Sequence, residues 1–291
     1  METKILSGLA VANSFYEATL SRISRLQTHN LNPGLAAILV GDDPASKIYV
    51  QNKVKKFQSL GMHSKVYQLD KNISESELLD IIQSINEDSK FHGILVQLPL
   101  PMHIDNQKVI YAIDPKKDVD GFHPENVGLL SVGNPRFIPC TPKGIMYLID
   151  YYQIDLSGKH MVVVGRSNIV GRPMSMLASL KSFGNTTVTL CHSGTRDLSS
   201  FTKEADILVA ATGMPEYFDD SFVKAGSIVI DVGITRLNSP RDGVLLVGDV
   251  KQDTLMGKVS AITPVPGGVG PMTIAMLVEN TILSAEMLLN S

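Results

Sequence analysis

Three apolar runs punctuate the first half of the chain: GLAAILVG at 34–41, SKVYQL at 64–69 and GILVQLPLP at 93–101. Short runs of this kind suit strands buried within a sheet. Between and before them lie stretches with helix-like patterning, ANSFYEATLSRISRLQ at 12–27, SKIYVQNKVKKF at 46–57 and SESELLDIIQSINED at 74–88. Ser74 and Glu77 have the spacing of a capping box, which marks the start of the last of these. Alternation of strand and helix predicts a parallel sheet covered on both faces.

The second half opens at IPCTPKGIMYLIDYY, 138–152, where Pro139 and Pro142 interrupt the chain. Thr141 can cap a helix there, with Pro142 at its first position. The alternation then resumes through HMVVVG, TTVTLCHS, ADILVAATG, SIVIDVGI, GVLLVGDV and VSAITPVP. These β-branched runs read as strands of an open sheet, with crossovers carried by the polar stretches between them. A final helix, 271–289, is apolar enough that it must pack on something, and the first domain is its expected host. The expected fold is therefore α/β in two domains, 1–138 and a Rossmann-like 139–271, with 272–291 returning to the first. A small ligand would bind in a cleft between them.

Composition narrows the function classes. A chain of 291 residues with 44% apolar content can bury two cores, and no repeats or low-complexity segments interrupt it. A net charge of −3 provides no broad basic field, so nucleic acid is not an expected partner. The opening residues lack a signal-peptide core, and no unbroken apolar run nears the roughly 18 residues of a membrane span. A cytoplasmic protein without membrane contact is expected. Cys140 and Cys191 have no CxxC or Cys/His spacing and the seven histidines are scattered, so neither a disulfide framework nor a metal site is expected.

Chemistry first shows at VVVGRSNIVGRPM, 162–174, which passes from a strand through glycines into a helix. That is the setting for a pyrophosphate at a helix N-terminus. Gly165 and Gly171 are present, but Ser167 stands at the middle glycine of the dinucleotide fingerprint. A strand–turn–helix junction that merely needs glycine remains the other reading. After TVTL, where NAD-specific proteins place a carboxylate, the chain has Cys191, His192 and Ser193. With no carboxylate to repel a 2′-phosphate and Arg166 able to pair with one, NADP is the expected cofactor; Arg166 as a solvated surface charge is the alternative.

Other polar groups sit where ligands bind. Tyr49 and Lys53 are four residues apart and share one side of a helix, away from Lys47, Lys55 and Lys56. Gln97 follows GILV at the C-terminal end of a parallel strand. In KKDVDGFHPENVG, 116–128, Asp118 and Asp120 flank one valine, so that one can cap the turn while the other reaches a ligand. ITPVPGGVGPMT, 262–273, has three prolines and three glycines, which serve either a tight connection or close approach of backbone to a ligand.

In order along the chain, YVQNKVK, VQLPLP, KDVDGFHPEN, PCTPKGIM, GRSNIVGRPM, CHSGT, DVGI, GDV and TPVPGGVGPMT resemble the bifunctional methylenetetrahydrofolate dehydrogenase/methenyltetrahydrofolate cyclohydrolase family. The resemblance implies NADP-dependent oxidation of 5,10-methylenetetrahydrofolate and hydrolysis of the methenyl product to 10-formyltetrahydrofolate, in one-carbon metabolism. It implies that Lys53, Gln97, Tyr49 and Asp120 form the catalytic set: Lys53 is the catalytic lysine, Gln97 contacts it, Tyr49 packs on or hydrogen-bonds the folate, and Asp120 binds the pterin. It also implies Gly268, Gly270 and Pro271 beside the folate, and Gly165, Arg166, Ser167, Ser193 and Ile234 on NADP. A homodimer is implied as well. Lys251, after GDV, and the segment RLNSPRDG at 236–243 depart from the family pattern. Two rivals stand beside this reading: another two-domain NADP enzyme resembling shikimate dehydrogenase, and a non-catalytic nucleotide-binding protein.

Overall fold

The computed structural model describes residues 1–239 and 243–289, so Pro240, Arg241 and Asp242 of the 236–243 segment lie outside the described residues. In chain order the first elements are β1 (Lys4–Ile5), α1 (Gly8–Thr28), β2 (Gly34–Val40), α2 (Pro44–Ser59) and β3 (His63–Leu69). Then come α3 (Glu75–Glu87), β4 (Gly93–Val96), α4 (Asn106–Ala112), α5 (Pro124–Ser131) and α6 (Cys140–Tyr151). They are followed by β5 (His160–Val164), α7 (Gly171–Ser179), β6 (Thr187–Cys191), α8 (Leu198–Thr202), β7 (Ile207–Ala210) and β8 (Ile228–Asp231). The last are β9 (Thr235–Ser239), β10 (Gly243–Val247), α9 (Gln252–Leu255), β11 (Ala261–Ile262) and α10 (Val269–Leu289). Two compact units result, one of Met1–Ser14 with Thr141–Thr273 and one of Phe15–Cys140 with Ile274–Ser291.

The second of these units holds a three-stranded parallel sheet ordered β3-β2-β4. β2 is buried along its whole length, as its unbroken apolar run requires, whereas the outer β3 has no fully buried residue. Leu78, Ile82 and Ile85 of α3 pack with Ala36, Ile38, Ile94 and Val96 of the sheet. The capping box forms: the Ser74 hydroxyl accepts from the Glu77 amide and the Glu77 carboxylate accepts from the Ser74 amide. β4 ends at Val96 because Pro99 and Pro101, which follow, have no amide hydrogen for a ladder. From Ile274 onward α10 belongs to this unit, where Arg22 pairs with Glu279 and Glu286, each at 2.7 Å. By length and composition α10 could cross a membrane, yet 56% of its most apolar window is buried within the protein.

The other unit holds six parallel strands in the order β1-β11-β8-β7-β5-β6. The first residues join it because β1 pairs with β11. The GVLLVGDV run departs from expectation: β10 pairs antiparallel with β9 in a hairpin instead of entering this sheet. β8 already has β7 on one side and β11 on the other, so its edges are occupied. α6 starts at Cys140, which puts Pro142 third in the helix, still within the first turn where its missing amide costs nothing. α10 likewise starts before Pro271, which places Gly270 and Pro271 in its first turn.

Candidate active site

Asp43 caps α2 by accepting from the Ser46 amide at 2.7 Å, and Pro44 opens the helix. Its inward face is Ser46, Val50, Lys53, Val54 and Phe57. Lys53 therefore lies inside an apolar stripe, 7% exposed, while Lys55 is exposed and Lys56 rests its ammonium over the Tyr16 ring. Burial pushes the Lys53 ammonium below the ordinary lysine range, and the neighbouring Asp120 and Cys140 pull it partly back. Its Nζ donates to Gln97 Oε1 at 3.2 Å and stands 5.5 Å from the centre of the half-buried Tyr49 ring.

Gln97 is fixed from both ends. Its amide continues the sheet by donating to Ile38 O, and its side-chain Nε2 donates to Leu98 O at 2.8 Å, which turns Oε1 toward Lys53. The two aspartates divide their duties. Asp118, 2% exposed, takes the His123 amide and the Asn126 Nδ2, and so shapes the turn. Asp120 is left to the site, where burial pushes its carboxyl up to about 6 against the opposing pull of Lys53. Gly121 has φ +74, and a Cβ there would meet the Pro139 nitrogen at 3.0 Å.

In the six-stranded unit, Gly165 (φ +124) follows β5, and a Cβ on it would lie 2.1 Å from Ala211 O. A Cβ on Gly171 would lie 1.8 Å from Gly165 O, so the loop and α7 approach as closely as backbone permits. No side chain caps the N-terminus of α7; the Arg172 amide donates to Ser167 O and Pro173 has no amide hydrogen, so in its first three positions the Gly171 amide is the one placed to meet an anion. Arg166 and Ser167 are exposed beside it. A cavity of about 370 Å³ opens here, bounded by residues after β5 (Gly165, Arg166, Ser167), after β6 (His192, Ser193, Thr195) and after β7 (Ala211, Thr212, Met214). β6 and β7 flank β5 on opposite sides, so the cavity lies at the C-terminal ends of the strands where the order reverses. The glycine cradle, the uncapped helix end and Arg166 all fit a dinucleotide with a 2′-phosphate.

Two family models match. Residues 6–120 match the tetrahydrofolate dehydrogenase/cyclohydrolase catalytic domain and 139–289 match the NAD(P)-binding domain of the same family. The chain belongs to the tetrahydrofolate dehydrogenase/cyclohydrolase family. A bifunctional protein FolD from Acetivibrio thermocellus is 53% identical over 287 residues, covering 99% of this chain and 98% of that one. The crystal structure of the bifunctional FolD dehydrogenase/cyclohydrolase from Campylobacter jejuni superposes with a TM-score of 0.93 at 47% identity, over 98% of this chain and 99% of that one. The FolD of Trypanosoma brucei, solved with NADP cofactor and an inhibitor, gives 0.94 at 35% identity with both chains fully covered.

For a dehydrogenase/cyclohydrolase the placement of residues is informative. Tyr49, Lys53, Gln97 and Asp120 come together in the three-stranded unit, and Gly165, Arg166, Ser167 and Ser193 border one cavity in the other. Ile234, 48% exposed after β8, is not among the residues bordering that cavity. Gly268 lies in the six-stranded unit against Gly8, where a Cβ on Gly8 would meet its carbonyl at 1.9 Å. Sequence reasoning missed Cys140, whose thiol donates to Val119 O at 3.4 Å and reaches Asp120 Oδ1 at 3.8 Å. It also missed Asn280, which donates to Val119 O and Ile138 O and so braces the backbone on both sides of that contact. An Asn in the apolar run of α10 was the available signal. Among the described residues no cluster of three His, Cys, Asp or Glu could hold a metal ion, and neither cysteine is in a disulfide. The two rival functions are not favoured over the family activity.

Proposed function

We propose that this protein oxidises 5,10-methylenetetrahydrofolate with NADP and then hydrolyses the 5,10-methenyl cation to 10-formyltetrahydrofolate, Lys53 acting as the base. The observation that carries the reading is the buried Lys53 ammonium held on Gln97 beside Tyr49 and Asp120. NADP supplies the hydride acceptor. Gly165 and Gly171 let backbone amides meet its phosphates, and Arg166 with Ser193 takes the 2′-phosphate.

The residues of the three-stranded unit divide the folate chemistry. Asp120, ionised above about pH 6, accepts paired N–H bonds from the amino-pyrimidine edge of the pterin. The flat Tyr49 ring suits packing on the aminobenzoyl portion. Hydride loss converts the methylene carbon to an electrophilic methenyl carbon without any proton transfer. Water then attacks that carbon and a C–O bond forms as one water proton passes to Lys53 Nζ; the bond from that carbon to N5 then breaks, N5 taking up a proton while the hydroxyl gives up its own, which leaves the formyl group on N10 and one proton released overall. An amine shifted below its ordinary pKa is suited to that transfer, and the cationic substrate favours its neutral form further. Gln97, accepting one Nζ hydrogen, directs the remaining face of the nitrogen to the water. The family resemblance assigns Gly268, Gly270 and Pro271 to the folate and the Ile234 backbone to the nicotinamide side.

The test is direct: purified protein, methylenetetrahydrofolate and NADP, following reduced cofactor and methenyl intermediate together. Turnover through both steps is expected, and no turnover with either nucleotide overturns the reading. The family resemblance supports a cytoplasmic homodimer that binds neither nucleic acid nor membrane; sedimentation of the purified protein tests the dimer.

A further inference from the structure

Two buried carboxylates in the six-stranded unit have no part in the chemistry above. Asp249 is 0% exposed and Asp231 is 1% exposed. Asp249 uses one oxygen for everything: Oδ2 accepts from the Thr212 amide at 2.6 Å, the Thr212 hydroxyl at 2.9 Å and the Gly213 amide at 3.0 Å. Its Oδ1 is buried without a hydrogen-bond partner. Asp231 uses both oxygens, Oδ1 accepting from the Gly233 and Asp249 amides and Oδ2 from the Val250 amide.

The backbone has been cleared for this pair. A Cβ on Gly233 would stand 2.1 Å from Asp249 Oδ1, and one on Gly248 would stand 1.8 Å from Asp231 Oδ2. Each carboxylate thus occupies the space of a missing side chain on the other's segment. Together they tie three strand exits: 211–213 after β7, 231–233 after β8 and 248–250 after β10. The first exit borders the dinucleotide cavity through Ala211 and Thr212, and Gly165 presses its backbone on Ala211 O. The second leads directly into Ile234.

We infer that Asp249 and Asp231 are positioning residues for NADP, holding the Thr212 wall of the cavity and the turn before Ile234 in one shape through their acceptor oxygens. The assignment rests on the cofactor reading of this cavity. Neither carboxylate touches the cofactor; each acts through the backbone amides it fixes. Because Asp249 accepts at one oxygen only, an asparagine carbonyl can replace it, with the amide nitrogen taking the place of the unpartnered Oδ1. Because Asp231 accepts at both, an asparagine there turns an N–H donor against a backbone N–H. The two substitutions make the same exchange of one carboxylate oxygen for an amide nitrogen, so a difference between them reports the acceptor pattern.

The experiment measures the KM for NADP and kcat of hydride transfer in Asp249→Asn, Asp249→Ala and Asp231→Asn, with hydrolysis of supplied methenyltetrahydrofolate on the same samples as the check that the catalytic unit is folded. Saturable use of NADP by the unmodified protein tests the cofactor reading separately. Asp249→Ala should raise the KM for NADP about tenfold or more, as expected when buried amides lose their acceptor, with kcat at saturation and hydrolysis changed far less. Asp249→Asn should restore the KM to within about threefold, and Asp231→Asn should not. Should Asp249→Ala fail to fold, the contrast between the two asparagine variants decides. An unchanged KM in Asp249→Ala, equal defects in both asparagine variants, or a fall in kcat and hydrolysis as large as the rise in KM in an Asp249→Ala that is folded by circular dichroism overturns the inference.

Discussion

Replacing Lys53 by Met separates the two reactions. The methionine keeps an unbranched stem in the Val50, Val54, Phe57 stripe and removes the one atom that donates to Gln97 Oε1. Hydride transfer needs no proton acceptor, whereas hydrolysis must place a proton somewhere. A positioned base contributes about 10²–10⁴-fold, which at about 1.4 kcal/mol per tenfold is roughly 3–5 kcal/mol of barrier. Hydrolysis of methenyltetrahydrofolate should therefore fall at least about 100-fold while NADPH formation survives at a measurable rate. A second signature follows from charge. Asp120 is pushed up to about 6 by burial, with Lys53 the cation that restrains the rise. Without that cation its carboxyl must rise further, so folate binding, expected to weaken as pH falls through about 6 in the unmodified protein, should weaken at higher pH in Lys53→Met. The assay follows both rates on one preparation, with the folate KM measured from pH 8 downward. Hydrolysis within a few fold of the unmodified enzyme refutes the base assignment; an unmoved pH profile of the folate KM refutes the coupling to Asp120.

Arg166→Ala should raise the KM for NADP about tenfold or more while leaving that for NAD nearly unchanged, since a charged hydrogen bond to phosphate is worth roughly 1.5–3 kcal/mol; equal effects on both nucleotides would remove the 2′-phosphate role. Gly171→Ala forces a methyl to 1.8 Å from Gly165 O, so the loop must leave the helix, and NADP binding should be lost with hydrolysis of supplied methenyltetrahydrofolate retained; normal NADP kinetics would contradict the close approach. Burial lowers the His92 imidazole from 6.5 to about 4, while its Nδ1 accepts from the Gly34 amide. A depressed folded-state pKa contributes stability above pH 6.5 that is lost as pH falls toward 4, up to about 3 kcal/mol. His92→Gln should flatten that acid limb in urea unfolding at several pH values, and an unchanged slope would clear His92 of it.

Much of the fold was legible because strands buried on both faces must be apolar, as β2 is along its whole length and β5 is after His160. β10 was misplaced for the same reason, since GVLLV has the composition of a sheet strand, yet it pairs with β9 while β8 is flanked by β7 and β11. β1, two exposed residues long, has no local signal at all; its pairing with β11 depends on residues about 250 positions away. Within the site, Gly165 and Gly171 were readable because close backbone approach leaves glycine no substitute. The division between Asp118 and Asp120 was not, since both flank one valine and the choice depends on Asn126 and His123 taking the first.

Lys53 is the case where the pattern held more than it first gave. Val50, Val54 and Phe57 mark the buried stripe of α2, and position 53 falls inside it at the spacing a core residue would have. A lysine at a core position is costly unless its ammonium has a partner, which is a local reason to look for one before any resemblance is invoked. Asp231 and Asp249 pose the opposite problem. The signs they leave in sequence, a glycine two residues after one and directly before the other, are common in turns. Their meaning arises only when β7 and β8 lie side by side and the exit from β10 folds across them, so that each glycine vacates room for the other segment's carboxylate. Chemistry confined to one helix face can be read from spacing; chemistry assembled from three strand exits waits for the order of the strands.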